Sequence, residues 1–102
     1  MDNSYFEDVA EFNRKFNLPI ALETHDPSLL SNGDFQYRFG FMLEELVEFA
    51  TAHADNDLEG AFDALIDLTY VVLGTAHFMG LPFERGWEEV QRANMSKIRA
   101  AK

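Results

Sequence analysis

The stretch between Arg38 and Arg85 contains no Lys or Arg, yet it is the most hydrophobic part of the chain and carries nine of the eighteen Asp and Glu residues. An acidic face in contact with water usually also carries Lys or Arg, which pair with the acids one helical turn away. Here the carboxylates lie among apolar residues and have no basic neighbours in sequence. A fold of this chain must therefore place several carboxylates beside its core.

Hydrophobic spacing predicts helices and no strands. Apolar residues recur at three- and four-residue steps in four segments, which are residues 4–16, 35–54, 58–79 and 84–100. Ser4 and Asp57 are well placed to cap the first and third of these helices. Residues 19–34 have no clear period and contain turn-forming residues, so we expect an irregular connection there. The sequence thus predicts one all-α domain over residues 1–102.

The third predicted helix, residues 58–79, is apolar on almost every side. A helix of that kind is normally surrounded by other parts of the protein. We therefore expect it to be buried on most of its faces.

Composition excludes several classes of protein. A net charge of −10 gives the chain no electrostatic reason to bind nucleic acid or an anionic membrane. The absence of Cys excludes disulfides and thiolate chemistry. The first seven residues lack the basic and apolar regions of a signal peptide, and no apolar run reaches the roughly 18 residues of a membrane span. We expect a soluble, cytoplasmic protein.

Carboxylates recur on the second and third predicted helices at helical spacing. Glu48 is three residues after Glu45 and four after Glu44, so the three side chains share one side of the second helix. On the third helix, Asp63 and Asp67 are four residues apart. If the two helices pack together, four or five carboxylates come to face one another.

Two interpretations of these acids are open. Ionised carboxylates in a low-dielectric site need a counter-charge, and oxygen ligands on rigid helices favour Mg²⁺, Mn²⁺ or Ca²⁺ over Zn²⁺. Such a site, with positions left for substrate phosphates, suits catalytic Mg²⁺ best. Alternatively, the acids form the solvated faces of a bundle or pair with Arg38, Arg85 and Arg92.

Three segments of the chain carry a resemblance to a known family. Residues 44–48 read EELVE, residues 63–76 read DALIDLTYVVLGTA, and residues 92–97 read RANMSK. In this order they resemble the MazG-like, all-α nucleoside triphosphate pyrophosphohydrolases and, among these, the phosphoribosyl-ATP pyrophosphohydrolase-like branch. The resemblance covers nearly the whole chain.

The resemblance implies a four-helix MazG-like bundle that hydrolyses a nucleoside triphosphate, or a related nucleotide, to the monophosphate and pyrophosphate. It also implies a homodimer or homotetramer whose active sites combine segments of more than one subunit. Ten Phe residues agree with self-association, because a small domain cannot bury so many. The alternative substrate is phosphoribosyl-ATP. The alternative to an enzyme is a non-catalytic helical interaction module whose metal site has decayed.

The resemblance also assigns roles to residues. Glu45 and Glu48 match the family motif E-x-x-E and are implied as ligands of Mg²⁺, or of Mn²⁺, together with Asp63 and Asp67. The metal would neutralise phosphate oxygens and activate the attacking water. Glu44 or Glu45 would act as the base that orients this water.

The second family motif, E-x-x-D, is only partly present. Gly60 stands three residues before Asp63, and Ala64 stands three residues before Asp67. Which Asp takes the motif position therefore stays open, and the missing acid keeps the interaction module as an alternative.

Further candidates would contact the substrate away from the metal. Asn94 and Lys97 are three residues apart on the last predicted helix, where they would contact phosphate or ribose. Otherwise, Asn94 is a polar contact within the bundle and Lys97 is a charge at the end of the helix. Four aromatic residues are candidates either for stacking on a base or for the core: Phe35, Tyr37, Phe39 and Trp87.

Overall fold

The computed structural model describes residues 4–16 and 26–97. Within these ranges the chain forms four helices and no strand: α1 (Tyr5–Lys15), α2 (Asn32–Ala54), α3 (Leu58–Phe78) and α4 (Phe83–Met95). The predicted all-α class with four helices is confirmed.

The two predicted helix caps are present. The Ser4 hydroxyl accepts a hydrogen bond of 3.0 Å from the Glu7 N–H at the start of α1. The Asp57 carboxylate accepts one of 2.9 Å from the Gly60 N–H at the start of α3. Each bond satisfies an amide that has no partner inside its helix, so local sequence alone fixes where these helices begin.

The ends of α2 and α4 differ from the prediction. α2 begins at Asn32, three residues earlier than residue 35, because the Ser31 hydroxyl caps it by accepting from the Asp34 N–H at 3.2 Å. α4 ends at Met95 with Ser96 as its C-cap, well before residue 100. Residues 98–100 of that prediction, and residues 19–25 of the predicted connection, lie outside the described residues.

The helices are arranged around α3. α2 and α3 are joined by a short turn at residues 55–57 and pack along each other, whereas α1 and α4 pack against α3 with smaller contacts. The core lies between α1 and α3, where Phe6, Val9, Leu73 and Ala76 are buried. Among the described residues, the contact between α2 and α3 is the most extensive contact between two helices, and we call it the seam.

A buried polar pair holds α1 onto α3. His77 is 1% exposed, and its Nδ1 lies 3.0 Å from the amide nitrogen of Asn13, which is also buried. Because that amide nitrogen can only donate, the Asn13 amide donates its proton and the His77 Nδ1 accepts it. The bond orients the ring whose edge faces Phe6.

The expectation that residues 58–79 are buried on most faces is wrong for a single chain. Phe62, Leu65 and Ile66 on the N-terminal half of α3 are all exposed. Most of the buried residues of this helix lie between Leu73 and His77, where α1 packs. The other three described helices do not surround α3, so an apolar surface of this helix is exposed within the part of the chain that the structure describes.

By length and composition, α3 is also a candidate membrane span, which the expectation from apolar runs did not anticipate. Almost half of its most apolar window is buried inside the protein, and that helix carries Asp63 and Asp67. These features fit the central helix of a helical domain better than a helix in contact with lipid.

Candidate metal centre

Three glutamates of α2 form a compact carboxylate cluster. Glu44, Glu45 and Glu48 each place a carboxylate oxygen within 4.8 Å of the oxygens of the other two. The cluster follows from their spacing, since residues three and four apart meet on a helix surface. Glu44 and Glu48 are exposed, whereas Glu45 is only 7% exposed. The cluster thus combines one buried carboxylate, that of Glu45, with two carboxylates that solvent can reach.

The Glu45 carboxyl group lacks the partners that a buried acid normally has. Its Oε1 is fully buried and has no hydrogen-bond partner among the described residues. Burial raises the pKa of Glu45, and the charges of Glu48, Asp67, Glu44 and Asp63 raise it further. A buried and unpartnered acceptor is costly, so a proton or a bound cation at this oxygen would stabilise the fold.

Asp63 and Asp67 lie on α3, on the other side of the seam from Glu45. Their charges act on Glu45, which shows that the packing of α2 on α3 brings the two acidic segments near each other, as predicted. Among the described residues, however, only the three glutamates share a 4.8 Å group. Asp63 is exposed and Asp67 is partly buried.

Gly60, which stands where the family motif has an acid, lies close to the N-cap of α3. A Cβ atom at this position would collide with the Asp57 carboxylate and would lie 3.3 Å from the Ala52 Cβ. Asp57 occupies this space because it caps α3. A side chain at position 60 would require the Asp57 carboxylate to shift, and the other candidate position, Ala64, is buried.

The arginines do not neutralise the cluster. The Arg38 guanidinium lies over the Phe78 ring, 5.0 Å from its centroid, and Arg92 pairs with Glu89 at 2.6 Å. Among the described residues, no ion pair joins Arg38, Arg85 or Arg92 to the three glutamates. The alternative in which Arg38, Arg85 and Arg92 supply the counter-charge is therefore not supported.

Asn94 and Lys97 are exposed, at the end of α4 and two residues beyond it. α4 packs against α3, and no described contact joins these two side chains to the glutamates. In the sequence, Glu45 borders the apolar row that Met42 and Phe49 share on α2, and the structure buries it.

The donor set fits a hard divalent cation. All available ligand atoms are carboxylate oxygens, two of the three side chains are accessible, and the buried oxygen of Glu45 has no other described partner. Mg²⁺ and Mn²⁺ prefer such oxygen ligands and keep positions open for water and phosphate.

The described residues form an all-α fold that presents helix-borne carboxylates along one seam. The family model of phosphoribosyl-ATP pyrophosphohydrolase matches residues 9–94, and the chain belongs to this family. A search of curated proteins found no match. The family resemblance seen in the sequence is confirmed, and the chain is an enzyme of the nucleotide pyrophosphohydrolase class. The family is typically metal-dependent, and the three glutamates can bind a metal.

The raised pKa of Glu45 predicts how the metal-free protein responds to pH. A carboxyl group whose pKa is higher in the folded state binds more protons there, so its contribution favours folding at low pH. That contribution is lost as pH rises from the unfolded value, about 4.3, through the raised pKa. In EDTA, we therefore expect wild-type protein to lose stability relative to Glu45→Gln over this range. Urea unfolding of both proteins at several pH values measures the difference between their free energies of unfolding. A difference that does not change with pH would contradict the raised pKa of Glu45.

Proposed function

We propose that this protein hydrolyses a nucleoside triphosphate, or a related nucleotide, between the α- and β-phosphates in a Mg²⁺-dependent reaction. The products are the nucleoside monophosphate and pyrophosphate. The observation that carries the proposal is the buried Oε1 of Glu45, which has no described partner and lies in a cluster with Glu44 and Glu48. Membership of the pyrophosphohydrolase family supports the reaction class.

The acidic residues of α2 and α3 have separate proposed roles. Glu45 and Glu48 would hold Mg²⁺, or Mn²⁺, and Asp63 and Asp67 would contribute to the same site from α3. The cation supplies positive charge for the phosphate oxygens and lowers the pKa of water. Glu44 is exposed beside these ligands, which suits it to accept the proton of the attacking water. No Lys or Arg lies between Arg38 and Arg85, and Arg38 itself lies over the Phe78 ring, so a bound cation would be the main positive charge for the phosphates.

Asn94 and Lys97 complete the proposed site by contacting phosphate or ribose. Because both are exposed and α4 packs on α3, we propose that they act on a site completed by a neighbouring subunit.

We further propose that the enzyme is a homodimer or homotetramer in the cytoplasm, where its nucleotide substrates are found. Apolar side chains on the outer faces of α2 and α3 support self-association, because a monomer would leave them in water. They include Phe39, Leu43, Leu46, Phe62 and Leu65, all exposed in one chain.

A nucleotide panel tests the reaction. Purified protein with Mg²⁺ is expected to release pyrophosphate, and no orthophosphate, from at least one canonical or modified nucleoside triphosphate or from phosphoribosyl-ATP. Phosphoribosyl-ATP is included because the matching family carries its name. Mn²⁺ replaces Mg²⁺ in a parallel series, and EDTA is the control.

The panel also separates the competing functions. Turnover of phosphoribosyl-ATP alone would identify that substrate. Absence of pyrophosphate from every nucleotide, with either metal, would overturn the proposal and favour a non-catalytic interaction module.

A further inference from the structure

Two aromatic residues of α2 share a row with the carboxylate cluster. Tyr37 and Phe41 are one turn apart, and Glu44 and Glu48 follow seven and eleven residues after Tyr37. At 3.6 residues per turn, these four side chains fall within about 60° of one another around the helix axis. The edge of α2 that carries the exposed glutamates therefore continues, toward the start of the helix, into an aromatic surface.

The two rings form a pair that is open to solvent. Their centroids are 6.0 Å apart and their planes are inclined by 76°. Tyr37 is 65% exposed and Phe41 is 36% exposed, so neither belongs to the core of the chain. The intervening Arg38 turns away, toward the Phe78 ring on α3, and does not cover them.

A second aromatic pair on the same helix points elsewhere. Phe35 and Phe39 stack with centroids 5.6 Å apart, but each lies about 160° around the axis from the neighbouring Tyr37 or Phe41. That pair is on the apolar side of α2, away from Glu44 and Glu48. Only the Tyr37–Phe41 pair shares their edge.

The spacing along the helix matches the dimensions of a nucleotide. With a rise of 1.5 Å per residue, Phe41 precedes Glu44 by about 4.5 Å and Glu48 by about 10 Å along the axis. A ribose spans the gap between a base and its α-phosphate on this scale. A nucleotide whose phosphates lie at the glutamates can therefore place its base against these rings.

We propose that the Tyr37–Phe41 pair is the platform on which the base of the substrate stacks. The inference rests on the proposed function, since it uses the carboxylate cluster as the phosphate end of the site. Stacking on an aromatic ring accepts any base, because every base has a π face. The platform thus supplies affinity, and the Tyr37 hydroxyl adds a hydrogen-bonding group at its edge.

Substitution of Tyr37 tests the platform through KM. For the best nucleotide of the panel, Tyr37→Ala is expected to raise KM about ten-fold, or about 1.4 kcal/mol, with little change in kcat. Tyr37→Phe should retain most of the affinity, because the ring remains. Tyr5→Ala, which removes an exposed Tyr from α1, is the matched control and should leave KM unchanged.

A base-free probe shows which part of the substrate the ring contacts. Inhibition by inorganic tripolyphosphate with Mg²⁺ should be equal in wild type and Tyr37→Ala, since this anion has no base. An equal rise in its inhibition constant would overturn the platform and indicate a general disturbance of the site. An unchanged nucleotide KM in Tyr37→Ala would also overturn it.

Equilibrium binding separates this inference from the proposed reaction. If wild type hydrolyses nothing but binds an α,β-methylene nucleoside triphosphate by calorimetry, and Tyr37→Ala weakens that binding about ten-fold, the platform stands and the hydrolytic function fails. If wild type neither hydrolyses nor binds any nucleotide of the panel, both fail.

Discussion

Replacing Glu45 by Gln is expected to abolish turnover and, at the same time, to stabilise the metal-free protein at neutral pH. Glu45 is the buried member of the cluster, and its pKa is raised first by burial and then by four neighbouring carboxylates. A neutral amide of the same shape removes that repulsion. It also removes the charge that holds the metal, so kcat/KM should fall at least about 100-fold, since even residues that only support a metal ligand cost 10–100-fold.

Glu48→Gln is the matched variant, because it removes the same charge from the same cluster at an exposed position. It should also lose turnover, but without a comparable rise in the melting temperature of the metal-free protein. Glu11→Gln, an exposed acid on α1, should change neither quantity.

Two measurements decide the outcome. Pyrophosphate release gives the activity, and thermal melting in EDTA and in millimolar Mg²⁺ gives the stability. Wild type should melt at a higher temperature with Mg²⁺, because a ligand of the folded state stabilises it, and both cluster variants should lose most of this shift. Retained activity in Glu45→Gln would rule out the assigned centre.

Leu46→Glu is expected to dissociate the enzyme into monomers. Leu46 is exposed on the outer face of α2, where we place the contact between subunits. A charge buried there without a partner costs about 3–5 kcal/mol, and a two-fold interface contains the substitution twice. The dissociation constant should therefore rise at least about a thousand-fold.

Light scattering after size-exclusion chromatography measures the change in mass. Wild type should have two or four times the chain mass of 11.7 kDa, and Leu46→Glu should have that of one chain. Gln91→Glu adds the same charge to the exposed surface of α4 and should keep the wild-type mass. A monomeric wild type at tens of micromolar would contradict self-association, and an unchanged mass for Leu46→Glu would place the interface elsewhere.

The glutamate cluster was largely predictable from local patterns. The three- and four-residue spacing of Glu44, Glu45 and Glu48 places them on one side of a helix whatever that helix packs against. The cap of α3 by Asp57 was predictable for the same reason, because both partners lie within one turn. The start of α2 was not, since Ser31 and Asp34 lie in a stretch with no hydrophobic period.

Burial could not be predicted in the same way. The apolar composition of α3 indicates a helix that avoids water, but the structure leaves Phe62 and Ile66 exposed because the other three described helices do not surround α3. An apolar composition indicates that a helix surface is more stable when other residues cover it. It does not indicate whether those residues belong to the same chain.

By itself, the sequence determined the four helices, two of their caps and the glutamate row, because each depends on residues within one or two turns. Only the tertiary structure decided that Glu45 is the buried acid, that Asp63 and Asp67 act on it from α3, and that Arg38 points toward Phe78 and away from the cluster. These outcomes depend on how α2 and α3 are rotated against each other. That rotation is set by the packing of whole helix faces, which no local pattern specifies.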